Sequence, residues 1–175
     1  MKRRAFSQRT MGLPAPVVLY RSREIIPVPL EVVSVNWREH SLLGEAYETP
    51  KGGWDVVLKK GEGTITREVH WPRPKVILRA QARLISDVEM EATLTVMRRQ
   101  RAVGELHITE KLIAAGHQTA WDIEVMDGRS HPLAHPAWAR TRNGVLRGLL
   151  AERDHRLHRM LEDTLESSPG KATPL

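Results

Sequence analysis

The sequence contains no cysteine. That excludes disulfides and every thiolate metal site, and it fits a reducing compartment. Phenylalanine occurs once and tyrosine twice, so five tryptophans carry most of the aromatic bulk. No apolar run approaches the roughly 18 residues that a membrane helix needs, and no signal-peptide core follows the basic start. The expectation is therefore a soluble, cytoplasmic protein with no membrane partner. Acidic residues are missing from the first 23 positions, where Lys2, Arg3, Arg4, Arg9, Arg21 and Arg23 all precede Glu24. Those six account for the formal charge of +6, because the remaining 21 basic residues match the 21 acidic ones. The basic character belongs to one end of the chain, not to a uniformly basic fold.

Motifs of common catalytic sites are also missing. There is no P-loop, no G-x-G-x-x-G and no G-x-S-x-G. No acid followed by E-x-K sits on adjacent strands: Glu68-Val69-His70 lacks the lysine, and Glu110-Lys111 has no spacer. The triplets His107-Ile108-Thr109 and His117-Gln118-Thr119 match H-x-T, but lie ten residues apart on one strand and its turn. His131 and His135 are each followed by proline, which removes the helical geometry of an H-x-x-x-H metal pair. His155 and His158 lie among Arg153, Arg156 and Arg159, a setting that repels cations. No catalytic residue, metal ligand or cofactor is assigned.

What is present reads as strands followed by a helix. A chain of 175 residues with 41% hydrophobic and 27% charged residues is one domain with room for a core. Residues 1–16 form a basic arm that Pro14 and Pro16 keep from being a helix, and Met11 offers an alternative start. In Lys75–Ile85 the residues Val76, Leu78, Ala80, Ala82 and Leu84 alternate with Arg79, Gln81 and Arg83; Val88–Val96 repeats the pattern. A three-residue connection, Ile85 to Asp87, would pair Leu84 with Val88 and set Arg83 against Glu89. Val17–Arg21 and Ile25–Trp37 are rich in β-branched residues and read as strands. Trp54–Lys60 and Thr64–Trp71 read as a hairpin about Gly61-Glu62-Gly63, and Val103–Leu112 and Trp121–Val125 as further strands. Roughly seven or eight strands joined by short turns favour a curved sheet or small barrel.

From Arg129 the pattern changes. Residues 129–135 read as a loop, Pro136 opens a helical turn, and Asn143-Gly144 interrupts it. Leu146, Leu149, Leu150, Leu157, Met160, Leu161 and Leu165 then recur at helical spacing. The fold class is thus α+β: a mainly antiparallel curved sheet or small β-barrel over residues 17–128, a loop and C-terminal amphipathic helix over 129–168, and a frayed tail over 169–175.

For function, clustered arginines are the most specific feature. Lys2, Arg3, Arg4 and Arg9 on the arm, Arg98, Arg99 and Arg101 at a hairpin tip, Arg79 on a strand face, and Arg140 and Arg142 could line one groove that grips phosphate. The leading expectation is therefore a non-enzymatic protein binding DNA or RNA, or a basic subunit of such an assembly. The alternatives are an interaction module that docks a partner or second copy on the Leu146–Leu165 stripe, and a small metal-dependent hydrolase.

Overall fold

The computed structural model describes residues 17–44, 52–128 and 136–166. Seven strands form one antiparallel sheet: β1 (Val17–Ile26), β2 (Trp54–Gly61), β3 (Thr64–Pro72), β4 (Lys75–Ser86), β5 (Glu89–Arg98), β6 (Arg101–Ala115) and β7 (Gln118–Asp127). Their order across the sheet is β1-β7-β6-β5-β4-β3-β2. The described residues also form two helices, α1 (Leu30–His40) and α2 (Pro136–Glu166). This is the expected α+β architecture, with a curved, open sheet whose edges are β1 and β2. The arm, the loop 129–135 and the tail after Glu166 lie outside the described residues.

Strand alternation explains the sheet. Ile65, Val69 and Trp71 on β3, Val76 to Ala82 on β4, Met90 to Val96 on β5 and Leu106, Ile108 and Leu112 on β6 are buried at every second position. Their side chains form one apolar face against the helices. The intervening residues form an outer face of cross-strand charge pairs: Arg23 with Asp122, Arg83 with Glu91, and Lys111 with Glu89.

Three local expectations are corrected. The β4–β5 turn closes at Asp87-Val88, and a bulge at Ile85 places Leu84 opposite Met90 and Arg83 opposite Glu91. The bulge restores the apolar phase that a plain two-residue turn would lose. Residues 30–40 form α1, not a strand: Val33 and Trp37 are one turn apart and both are buried. Pro29 sits just before the helix, where its missing N–H costs nothing and its carbonyl accepts from Val32 and Val33. Burial of Trp37 outweighs the mild β preference of Val32, Val33 and Val35. Finally, α2 runs for 31 residues straight through Asn143-Gly144.

The leucine stripe is split. Leu149 and Met160 are buried, Leu146, Leu157 and Leu161 pack along the margin of the core, and Leu165 is 68% exposed. The face that meets the sheet instead carries Trp138, Val145, Gly148, Glu152 and Arg156.

Candidate functional site

The first half of α2 is clamped to the sheet. Gly148 lies against Trp71 so closely that a Cβ there would stand 2.5 Å from the indole. Gly104 on β6 leaves the space that the Trp138 ring fills. Trp138 Nε1 donates to Asp127 (3.1 Å) and Trp71 Nε1 donates to Glu152 (2.5 Å), so both indoles satisfy their polar edge at the helix–sheet contact.

One turn further, the interior becomes charged. Arg156 Nη2 donates to Glu110 Oε1 on β6 (3.1 Å), and Arg153 Nη2 lies 2.9 Å from Glu24 on β1. Both guanidinium groups stand beside the Trp121 ring, at 5.8 and 5.9 Å from its centroid. Glu110 Oε2 and Trp121 Nε1 are buried with no hydrogen-bond partner among the described residues. On the other flank Arg67, fully buried on β3, lies 3.4 Å from Asp55 and donates to the carbonyl of Gly44. The space under the helix is filled by ion pairs and indoles.

Past Arg156 the elements diverge and a cleft of about 560 Å³ opens. Arg38, His40 and Gly44 wall it from α1 and the turn after it, and Lys60 and Thr64 from the β2–β3 hairpin. His155, Arg159 and Asp163 contribute from α2. One wall is fixed, because His40 Nε2 and Asp163 Oδ2 are 2.7 Å apart and Asn36 Nδ2 donates to Thr164 Oγ1 (3.1 Å). The lining is about equally polar and apolar and carries both signs of charge. Among the described residues no three His, Asp or Glu side chains gather as a metal site, and no helix is long and apolar enough to cross a membrane.

The arginines singled out in the sequence are not gathered in this cleft. Arg79 is on the outer sheet face, 3.2 Å from Glu68. Arg142 binds Asp127 at 2.6 Å. Arg98, Arg99 and Arg101 are exposed around the β5–β6 turn, and Arg140 is exposed near the start of α2. Lys2, Arg3, Arg4 and Arg9 lie outside the described residues, as do His131 and His135. His155 reaches the cleft, whereas His158 Nδ1 is 2.8 Å from the carbonyl of Asp154 on its own helix. His107 faces outward beside Thr93 and Glu105, and buried Thr119 donates to Val28, so the two H-x-T triplets do not converge.

Sequence reasoning missed Arg38, Lys60, Arg159 and Asp163 as cleft residues, and Glu110 and Arg67 as charges buried in the interior. A signal existed for the last two. Glu110 is in phase with Leu106, Ile108 and Leu112, and Arg67 with Ile65, Val69 and Trp71, so alternation alone assigns both to the inner face.

No family model and no curated protein matches the sequence. Solved structures nevertheless share the fold. The di-domain ARO/CYC StfQ from the steffimycin biosynthetic pathway is similar at a TM-score of 0.59 and 10% identity, over 86% of this chain and 52% of that one. The Zhui aromatase/cyclase from Streptomyces gives a TM-score of 0.55 and 14% identity, over 83% of this chain and 92% of its own. A START superfamily protein from Mycobacterium smegmatis gives 0.50 and 8%, over 82% and 99%. These likenesses overturn the expectation of a nucleic-acid-binding protein. The architecture is that of START-like proteins, and Arg79 and Arg142 are held by carboxylates instead of lining a phosphate groove. At such identities the likeness establishes the fold alone, which is a START-like helix-grip.

Proposed function

We propose that this chain binds a small organic ligand in the cleft between the C-terminal half of α2, the end of α1 and the β2–β3 hairpin. The observation that carries the reading is the cleft itself: about 560 Å³, within the size range of small-molecule sites, where the C-terminal half of α2 parts from the sheet. The mixed lining, with charged groups beside Leu43, favours a ligand that has both an apolar body and hydrogen-bonding groups. Arg38 and Arg159 present donors, while Asp163 presents an acceptor beside His40. The START-like fold supports the reading, since the solved structures that share it include two named as aromatase/cyclases. A cytoplasmic setting is part of the proposal, consistent with a chain that has no cysteine to oxidise.

The test is a screen of small polar and aromatic compounds by amide chemical-shift perturbation, repeated on Thr64→Trp, which fills the mouth. Hits should move the signals of Gly61, Gly63, Thr64 and His155, and lose affinity tenfold or more in the filled variant. Hits that move other signals, or that bind Thr64→Trp unchanged, would place the ligand elsewhere.

A further inference from the structure

One pair on the cleft wall is equipped for chemistry as well as for recognition. His40 ends α1, Asp163 lies near the end of α2, and their 2.7 Å contact joins the two helices. The imidazole is held from both sides. Arg156 Nη1 donates to the His40 carbonyl (3.3 Å), and Asn36 Nδ2 donates to Thr164 Oγ1 beside Asp163 (3.1 Å). The backbone after His40 is fixed by Ser41, whose Oγ donates to the Arg38 carbonyl (2.8 Å) and accepts from the Leu43 N–H (3.1 Å).

Asp163 takes Nε2 of the ring, and the described residues give Nδ1 no hydrogen bond. A neutral imidazole that gives its Nε2 proton to Asp163 keeps a lone pair on Nδ1, which is a base. Arg38 lines the same cleft, and its guanidinium has no hydrogen bond or ion pair among the described residues. No hydroxyl is set up as a nucleophile for His40: Ser41 is 1% exposed and committed to the Arg38 carbonyl, and Thr64 stands on the hairpin wall. The cleft is open to solvent, so water is the reactant at hand.

We infer that the cleft hydrolyses a carboxylic ester with an apolar body, an inference that rests on the binding reading above. His40 is the general base, Arg38 binds the oxyanion, and Asp163 is a positioning residue that holds the tautomer and the ring. Nδ1 takes a proton from water, whose oxygen bonds to the acyl carbon, and the carbonyl electron pair moves onto the oxygen beside Arg38. As the carbonyl re-forms, the bond to the alcohol breaks and the imidazolium returns the proton to the departing alkoxide. One water is consumed and an acid and an alcohol leave. A single unengaged cation matches one developing negative charge and not a phosphate dianion, and Leu43 offers the apolar body a surface.

The probe is 4-nitrophenyl butyrate, with 4-nitrophenyl phosphate in parallel, on full-length protein. The butyrate should be hydrolysed with saturation and with no loss in EDTA, and the phosphate should not react. His40→Gln should lower kcat about a hundredfold at nearly unchanged KM. Asp163→Asn should lower kcat about tenfold or more, with Asp163→Glu recovering part of it. Arg38→Gln, at an exposed position with no partner to lose, should keep the circular dichroism of the parent and lower kcat about tenfold. His158→Gln, an exposed histidine outside the cleft, should match the parent and so measures what any surface imidazole does. Equal rates in His40→Gln and His158→Gln, an Arg38→Gln rate equal to the parent's, or loss of turnover in EDTA would overturn the inference. Butyrate that moves the Gly61 and Thr64 signals without being hydrolysed would overturn it too, and would leave the binding reading standing. Butyrate that neither binds nor reacts would overturn it as well, and the compound screen alone would then decide the binding reading.

Discussion

Arg156 on α2 and Glu110 on β6 meet at 3.1 Å with 11% and 1% of their side chains exposed, so an ion pair stands where a helix on a sheet ordinarily presents leucine. Removing one member leaves the other charged and enclosed. Glu110→Ala should cost about 3–5 kcal/mol, whereas the double replacement Glu110→Leu/Arg156→Met should recover most of the loss. Urea unfolding of the three proteins decides it. A Glu110→Ala variant as stable as the parent would mean that water reaches Arg156.

The two glycines of α2 make a matched comparison. A Cβ at Gly148 would stand 2.5 Å from Trp71, so Gly148→Ala must push the helix off the sheet, at about 1–3 kcal/mol. At Gly144 the nearest atom is Pro74 Cγ at 3.4 Å, and Gly144→Ala should instead add about 0.5–1 kcal/mol of helix stability. Thermal unfolding with opposite signs is the expected result. Equal effects would mean that close approach to Trp71 is not what requires glycine.

On the outer face, Arg23 donates to both oxygens of Asp122 (2.7 and 2.6 Å). That hydrogen bond holds the Asp122 carboxyl below the usual carboxylate range, although partial burial pulls it up; the attraction of Arg23 and Lys111 adds to the lowering. The unfolded chain binds the proton more readily than the folded one. The pair therefore contributes stability above the ordinary carboxylate range, and loses it as pH falls through the depressed value of the folded state. In a carbon-detected titration, Arg23→Gln should return Asp122 toward the ordinary range. No movement would assign the depression to another cause.

Much of this architecture follows from spacing in the chain. Alternation through Val76–Leu84 and Val88–Val96 locates β4 and β5 and the face each buries, and Gly61-Glu62-Gly63 locates a hairpin. The same rule fails where polar residues are buried. Glu152, Arg153 and Arg156 face the sheet, yet they read as the wet side of a helix, because periodicity registers hydrophobicity and cannot see an ion pair. The α1 segment misleads for a related reason: Val32, Val33 and Val35 favour strands locally, and only the burial of Trp37 against distant parts of the chain decides for a helix. The cleft was illegible altogether. Arg38, Lys60 and Asp163 are ordinary surface residues until three separate elements bring them to one opening.

Because β1 pairs with β7, partners such as Arg21 and Glu124 are 103 residues apart, whereas β2 to β7 follow one another as hairpins. The local hairpins can zip before the ends meet, so docking of β1 belongs late in folding. Ile26→Ala, at a β1 position only 1% exposed, should then cost about 2–5 kcal/mol, expressed chiefly as faster unfolding with little change in folding rate. During synthesis the consequence is a wait. At ~5–20 residues per second, β1 leaves the ribosome on the order of 5–20 s before the strand it must pair with. Through that interval the newborn chain holds its first strand with no neighbour.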